Sequence, residues 1–227
     1  MTNWILHEDN HLIIVNKPNR IPVQGDKSGD TTLIDIVKNY IKKKYKKPGN
    51  VYLGLPHRID RPTSGIVILS KTSKSLSKMT QIFREKKIIK KYWAIVKNKI
   101  KTNNDTLTHF LKKNRKLNKS FASKKEKEGY LKSELKYRLI KSLDNYHLYE
   151  ITLITGRHHQ IRAQLSEIGS PIKGDIKYGS SRTNKDGSIS LHSRIIEFTH
   201  PIKKTKITIT ANPPESDPIW KSCINLK

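Results

Sequence analysis

The chain has 227 residues, of which 34% are apolar and 29% charged, and its 46 Lys and Arg against 19 Asp and Glu give a formal net charge of +27. No run approaches the roughly 20 apolar residues of a membrane-spanning helix, the opening MTNWILHEDN lacks the basic and apolar regions of a signal peptide, and the one cysteine, Cys223, excludes internal disulfides and cysteine-paired zinc sites. The length suits one sizeable core with no Pro/Gly/Ser-rich linker, so a single catalytic domain over 1–227 in the cytoplasm is expected, with nucleic acid as the first partner class for so positive a surface.

In chain order, HLIIVNKP reads as a short buried strand stopped by Pro18. TTLIDIVKNYIKKKY follows with Leu33, Ile36, Val37, Tyr40 and Ile41 at helical spacing, behind Thr31 or Thr32 as cap. GIVILS is a strand, and SKSLSKMTQIFREKK places Leu76, Met79 and Phe83 on one helical face. IIKKYWAIVKN alternates, sending Tyr92, Ala94 and Val96 to one side and Lys91, Trp93 and Ile95 to the other. Residues 97 to 128, including KKNRKLNKSFASKKEKE, carry many lysines and little apolar periodicity, which predicts a mobile, solvated, basic insertion that contacts RNA. YLKSELKYRLIKSL and YHLYEITLIT read as paired antiparallel strands. TGRHHQIRAQLSEIG then predicts a helix with Thr155 as N-cap, Ile161, Leu165 and Ile168 as its apolar stripe and Gly169 as its stop. ISLHSRIIEFTHP and KKTKITITANPP supply the last strands. Many strands with few helices between them predict an α+β fold with a mixed, largely antiparallel sheet.

The chemistry concentrates in LPHRIDRPTSGIVILSK, residues 55 to 71, where Asp60 stands between Arg58 and Arg61 before a buried strand. A guanidinium beside a carboxylate favours its charged form, and a fixed carboxylate can serve as nucleophile or base. The Thr-Ser-Gly that follows is a turn in which backbone can approach a ligand closely. In GRHHQIR, Arg162 lies beside the apolar stripe of its helix, so its stem can be buried while its head reaches a cleft. His158 and His159 are adjacent and point in different directions on a helix, unlike an i, i+4 zinc pair, and no carboxylate cluster accompanies Asp60. No Walker-type phosphate loop or dinucleotide fingerprint is present. What remains is cofactor-free chemistry on a polyanion with one essential acid.

HRIDRPTSGIVILSKT resembles the HRLD-x-TSG signature of the RluA family of RNA pseudouridine synthases. KKYWAIV, TGRHHQIRAQLSEIGSPIKGDIKYG and LHSRIIEFTHP follow in the order that family shows, and HLIIVNKPNRIPV resembles its opening strand and turn. The likeness spans nearly the whole chain and implies an isomerase that converts uridine to pseudouridine in structured RNA, rRNA or tRNA. It implies that Asp60 is the catalytic acid, that Tyr92 stacks on the extracted uracil and that Arg162 pairs with the aspartate. Arg58 matches the residue that fills the gap left by the flipped base, while Arg157, His159 and Gln160 build the pocket or the helix start and Ile161 packs beneath it. The resemblance implies no cofactor and no metal, and a monomer is the default.

Two departures stand out. Arg20 occupies the turn after KP where the family usually has glycine, so either the backbone differs there or the side chain has gained an RNA contact. Pro62 takes the variable position after HRIDR and stiffens that loop. No N-terminal stretch is available for the S4-type RNA-binding domain of some relatives, so RNA capture is expected to fall to the catalytic domain. The competing reading is a non-catalytic RNA-binding or ribosome-associated protein that keeps the fold. A glycosidase that releases the base is weaker, because it would want a second carboxylate to activate water.

Overall fold

A computed structural model of the chain describes residues 2–25 and 29–224. The strands are β1 (Ile5–Glu8), β2 (Leu12–Lys17), β3 (Ser64–Ser70), β4 (Ile88–Val96), β5 (Asn104–Asn114), β6 (Lys119–Ser123), β7 (Leu131–Ser142), β8 (His147–Leu153), β9 (Leu191–Thr199) and β10 (Lys206–Thr210). The helices are α1 (Leu33–Lys44), α2 (Ser73–Arg84), α3 (Gln160–Glu167) and α4 (Pro218–Ile224). The class is α+β, as the sequence predicts. The chain divides into two compact units, one of residues up to Ile89 together with Ser193–Ile224, the other Lys90–His192.

In the first unit β1, β2 and β3 form an antiparallel run, with β2 and β3 in register from Leu12 opposite Ser70 to Lys17 opposite Gly65. Leu12 to Val15 and Ile66 to Leu69 are all inaccessible to solvent, which is why both strands read as unbroken apolar runs. Leu12, Ile14, Ile66 and Ile68 pack with Met79 of α2 and with Ile196, Phe198 and Ala211. Thr32 caps α1 in a reciprocal box with Asp35, and Leu33, Val37 and Ile41 are its buried face. The FTHP stretch closes this unit. His200 Nδ1 accepts from the backbone N–H groups of Ile202 and Lys203, which leaves the proton of the neutral ring on Nε2, 3.0 Å from Asp9 Oδ2. Asp9 Oδ1 accepts in turn from the His11 and Leu12 N–H groups, so one carboxylate joins the β1–β2 turn to the β9–β10 turn.

The second unit is the antiparallel order β4-β8-β7-β5-β6. Here two expectations are corrected. The stretch 97 to 128, predicted as a mobile insertion, contains β5 and β6 as a hairpin. Its inward positions include His109 and Ser120, buried polar residues that hide the alternation from a hydropathy reading. Thr155 is not the cap of α3; the helix starts after His159, which holds a left-handed backbone (φ 52°), while the Thr155 hydroxyl donates to Gln160 Oε1. Nor do His158 and His159 diverge, since both precede the helix and their rings stack at 3.7 Å between centroids. Gly169, with φ 78°, stops α3 as expected. Gln160 through Leu165 are all buried, so the helix is enclosed rather than striped.

In the first unit Glu8 holds α1 to β1. Its carboxylate accepts from Lys44 at 2.7 Å, Lys71 at 3.0 Å, Tyr45 at 2.8 Å and Tyr40 at 3.2 Å. Burial alone would raise its pKa, but the hydrogen bonds from Lys44, Lys71 and Tyr45 prevail and hold it at about 2. An ordinary carboxylate titrates near 4.5. The stabilisation is therefore complete above that value and is lost as pH falls toward 2. We expect Glu8→Gln to cost about 2 kcal/mol in urea unfolding at neutral pH. The gap between the two proteins should shrink steadily on acidification, and a gap independent of pH would exclude a charge-based role.

Candidate active site

In the first unit the Asp60 carboxylate is half-buried on a turn that closes when the Thr63 N–H donates to the Asp60 carbonyl at 3.0 Å. The chain then enters β3, where Gly65 has φ +110° and a Cβ would stand 2.3 to 2.8 Å from the Ser193 backbone of β9. The glycine of the Thr-Ser-Gly stretch is thus required by a neighbouring strand. Beside it His57 accepts from the Ile68 N–H through Nε2 at 2.9 Å and stacks on Phe83, 4.6 Å between centroids. That ring supports the start of the loop from below.

A buried cation fixes the Asp60 turn. Lys17, the last residue of β2, has no solvent exposure, and its Nζ donates to the carbonyls of Pro18 (2.9 Å), Ile21 (2.9 Å) and Arg61 (3.1 Å). Those three acceptors use all three N–H groups of the charged form. Burial pushes its pKa down to about 7, against the pull of Asp60 and with Arg61 adding to the fall. Arg61 itself turns aside. Its Nε donates to the Arg20 carbonyl at 3.0 Å and its Nη2 pairs with Asp30 at 2.6 Å. Arg20 has the left-handed conformation that glycine prefers, at φ 68°, which an arginine adopts at a cost of about 1 kcal/mol. Arg58 is exposed, two residues before Asp60.

In the second unit Tyr92 lies on β4 opposite Ile151 of β8 and is only 8% exposed. Arg162 projects from α3 with its head almost wholly buried. Its Nε and Nη2 donate to the two carboxylate oxygens of Asp175 at 2.7 and 2.9 Å, a bidentate pair, and its guanidinium carbon sits 4.9 Å from the Tyr178 ring centroid. Gly174 makes this possible. At φ +88°, a Cβ there would meet the Ser188 carbonyl at 2.6 Å and the Asn184 side chain at 2.8 Å, so the chain can turn tightly and deliver Asp175.

The remaining sequence candidates build the start of α3. Gln160 accepts from the Arg157 N–H and the Thr155 hydroxyl, both at 2.9 Å, and its amide donates to the Glu134 carbonyl at 3.0 Å. The Arg157 side chain is exposed and Ile161 is buried. His159 Nδ1 lies 3.0 Å from the Tyr178 hydroxyl, which also accepts from the Ser120 N–H at 2.8 Å. Sequence reasoning missed Lys17, Asp175 and Tyr178. Lys17 could have been suspected as a charge ending the apolar LIIV run, and Asp175 as an acid between glycines in KGDIKYG within a chain poor in acids.

Residues 11–167 match the RNA pseudouridylate synthase family. The chain is 36% identical over 218 residues to ribosomal large subunit pseudouridine synthase C of Buchnera aphidicola subsp. Acyrthosiphon pisum (strain APS), covering 93% of this chain and 67% of that protein. It is 32% identical to the protein of the same name from Rickettsia prowazekii (strain Madrid E), covering 94% and 69%. Among solved structures, human RNA pseudouridylate synthase domain containing 4 superposes with a TM-score of 0.81 at 22% identity, covering all of this chain and 94% of that one. Human RNA pseudouridylate synthase domain containing 1 gives 0.73 at 20%, covering 96% and 86%. These two establish the likeness of fold.

Removing the counter-charge from Arg162 leaves a buried guanidinium short of a partner. Asp175→Asn is expected to destabilise the protein by about 3 to 5 kcal/mol in denaturant unfolding. A loss under about 1 kcal/mol would mean that the pair is dispensable to the fold.

Proposed function

The chain belongs to the RNA pseudouridylate synthase family and is an isomerase of uridine in RNA, and we propose that it acts on large-subunit ribosomal RNA with Asp60 as its catalytic carboxylate. The name shared by its bacterial relatives supports the RNA. The observation that carries the role of Asp60 is the anchoring of its turn by Lys17, since a reacting carboxylate must be held in one place before substrate arrives.

The reaction breaks the bond from ribose C1′ to uracil N1, turns the base and joins C1′ to C5; C5 gives up a proton and N1 takes one up, so no atom or electron is gained. Such an isomerisation calls for no redox partner and no cofactor. Asp60 opens it either by adding to C1′ or by removing a sugar proton. Tyr92 offers its ring to the extracted base and its hydroxyl to the proton transfer at C5, and Arg162 supplies a fixed guanidinium to the reacting nucleotide. A stacked uridine must first leave its helix, at a cost of a few kcal/mol. Arg58, planar and exposed, takes the place of the base by stacking and hydrogen bonding.

Pseudouridine mapping of rRNA from cells with and without the gene tests the target, with the carbodiimide-reactive site lost in the deletion. Asp60→Asn should abolish pseudouridine formation while changing RNA affinity by less than about tenfold, roughly 1.4 kcal/mol. Measurable turnover by that variant would remove Asp60 from its role. For Arg58→Ala, single-turnover rates should fall about a hundredfold on a base-paired uridine and far less on the same uridine in a flexible single strand. An equal loss on both RNAs would exclude the flipping role.

A further inference from the structure

The β5–β6 hairpin has two faces of opposite character. On one, Leu111 and Ala122 pair across the strands and pack with Ala163 of α3 and Tyr178. On the other, Lys112 stands opposite Phe121, and both are exposed; Phe121 shows 42% of its surface to solvent. An exposed phenylalanine at a strand centre loses the burial energy that normally justifies it. Cations flank it, and half-exposed Phe110 lies on the same face. Lys119 Nζ is 5.6 Å from the Phe121 ring centroid, and the following loop brings Tyr130 to the same side, with Lys112 at 5.8 Å and Lys127 at 5.9 Å from its ring centroid. Residues 112 to 132 hold nine Lys and Arg against two Glu.

Open aromatic rings interleaved with lysines on a sheet face match the chemistry of an unpaired polynucleotide, whose bases stack on rings while its phosphates meet the ammonium groups. A duplex keeps its base faces stacked away from such rings, and charge complementarity selects a polyanion over a folded protein partner. We propose that the outer face of the β5–β6 hairpin binds a single-stranded segment of the substrate RNA, with a base stacked on Phe121 and backbone phosphates on Lys112 and Lys119. The inference rests on the reading of the chain as an RNA-modifying enzyme and adds where it grips the strand.

The test uses the full chain and a labelled single-stranded oligouridylate of about twelve nucleotides, with a second probe of the same backbone lacking bases. Phe121→Ala should weaken binding of the first probe about tenfold, leave the slope of log affinity against log salt unchanged, and bind the abasic probe as the parent protein does. Phe121→Trp should restore the affinity. Lys112→Gln with Lys119→Gln should instead reduce the salt slope by about 1 to 2 on both probes. Equal affinity of Phe121→Ala and the parent for oligouridylate, or an equal loss on the abasic probe, overturns the stacking site. Pseudouridine formation by the parent protein on an rRNA transcript is measured separately; its absence would sink the isomerase reading, while the binding series still decides the hairpin face.

Discussion

A charge taken out of water must find its full set of partners, and each unit of this protein is organised around one cation that has done so. Desolvating an ammonium or guanidinium costs several kcal/mol, which only well-placed acceptors offset. Lys17 meets that demand with three carbonyls from two segments, and Arg162 with both oxygens of Asp175. Because the acceptors belong to loops, satisfying the cation also fixes the loops. The Asp60 turn cannot drift without leaving Lys17 unpaired, and the KGDIKYG loop cannot drift without stranding Arg162. Rigidity of each loop is thus a consequence of burying its charge.

The scarcity of acids follows the same logic. In a chain with a net charge of +27, Glu8, Asp9 and Asp175 face inward, each accepting several hydrogen bonds and each joining segments distant in sequence. Burial alone would raise the pKa of Glu8 and Asp9, and hydrogen bonds overcome it in both. These three acids act as clamps, and with 46 Lys and Arg against 19 acids the cations dominate the surface. A polyanionic substrate meets a field of one sign, which raises its rate of encounter without assigning any one lysine a specific duty.

Periodicity made most elements legible. The runs LIIV and GIVILS read as buried strands, and the spacing of Leu33, Val37 and Ile41 behind Thr31 or Thr32 read as a capped helix, with Thr32 the cap. The hairpin of β5 and β6 escaped because buried histidine and serine occupy inward positions, a pattern that pays its polarity back through partners invisible in one dimension. The start of α3 escaped for a related reason: His159 enters the helix through a left-handed conformation, while Thr155, a good cap by type, hydrogen-bonds Gln160 instead.

The motif around Asp60 was found from sequence, because an acid between two arginines before an apolar strand is a local feature. Its support was not. Lys17 reaches Arg61 across 44 positions, Gly65 is demanded by Ser193, and Arg162 finds Asp175 thirteen positions away. Sequence by itself determined the elements, the sign of the partner and the residue types able to react, since propensity, spacing and charge act over a few positions. Only the tertiary structure decided which cation holds which loop, and that Arg61 turns away to Asp30, since pairing depends on distances set by chain segments that meet after folding.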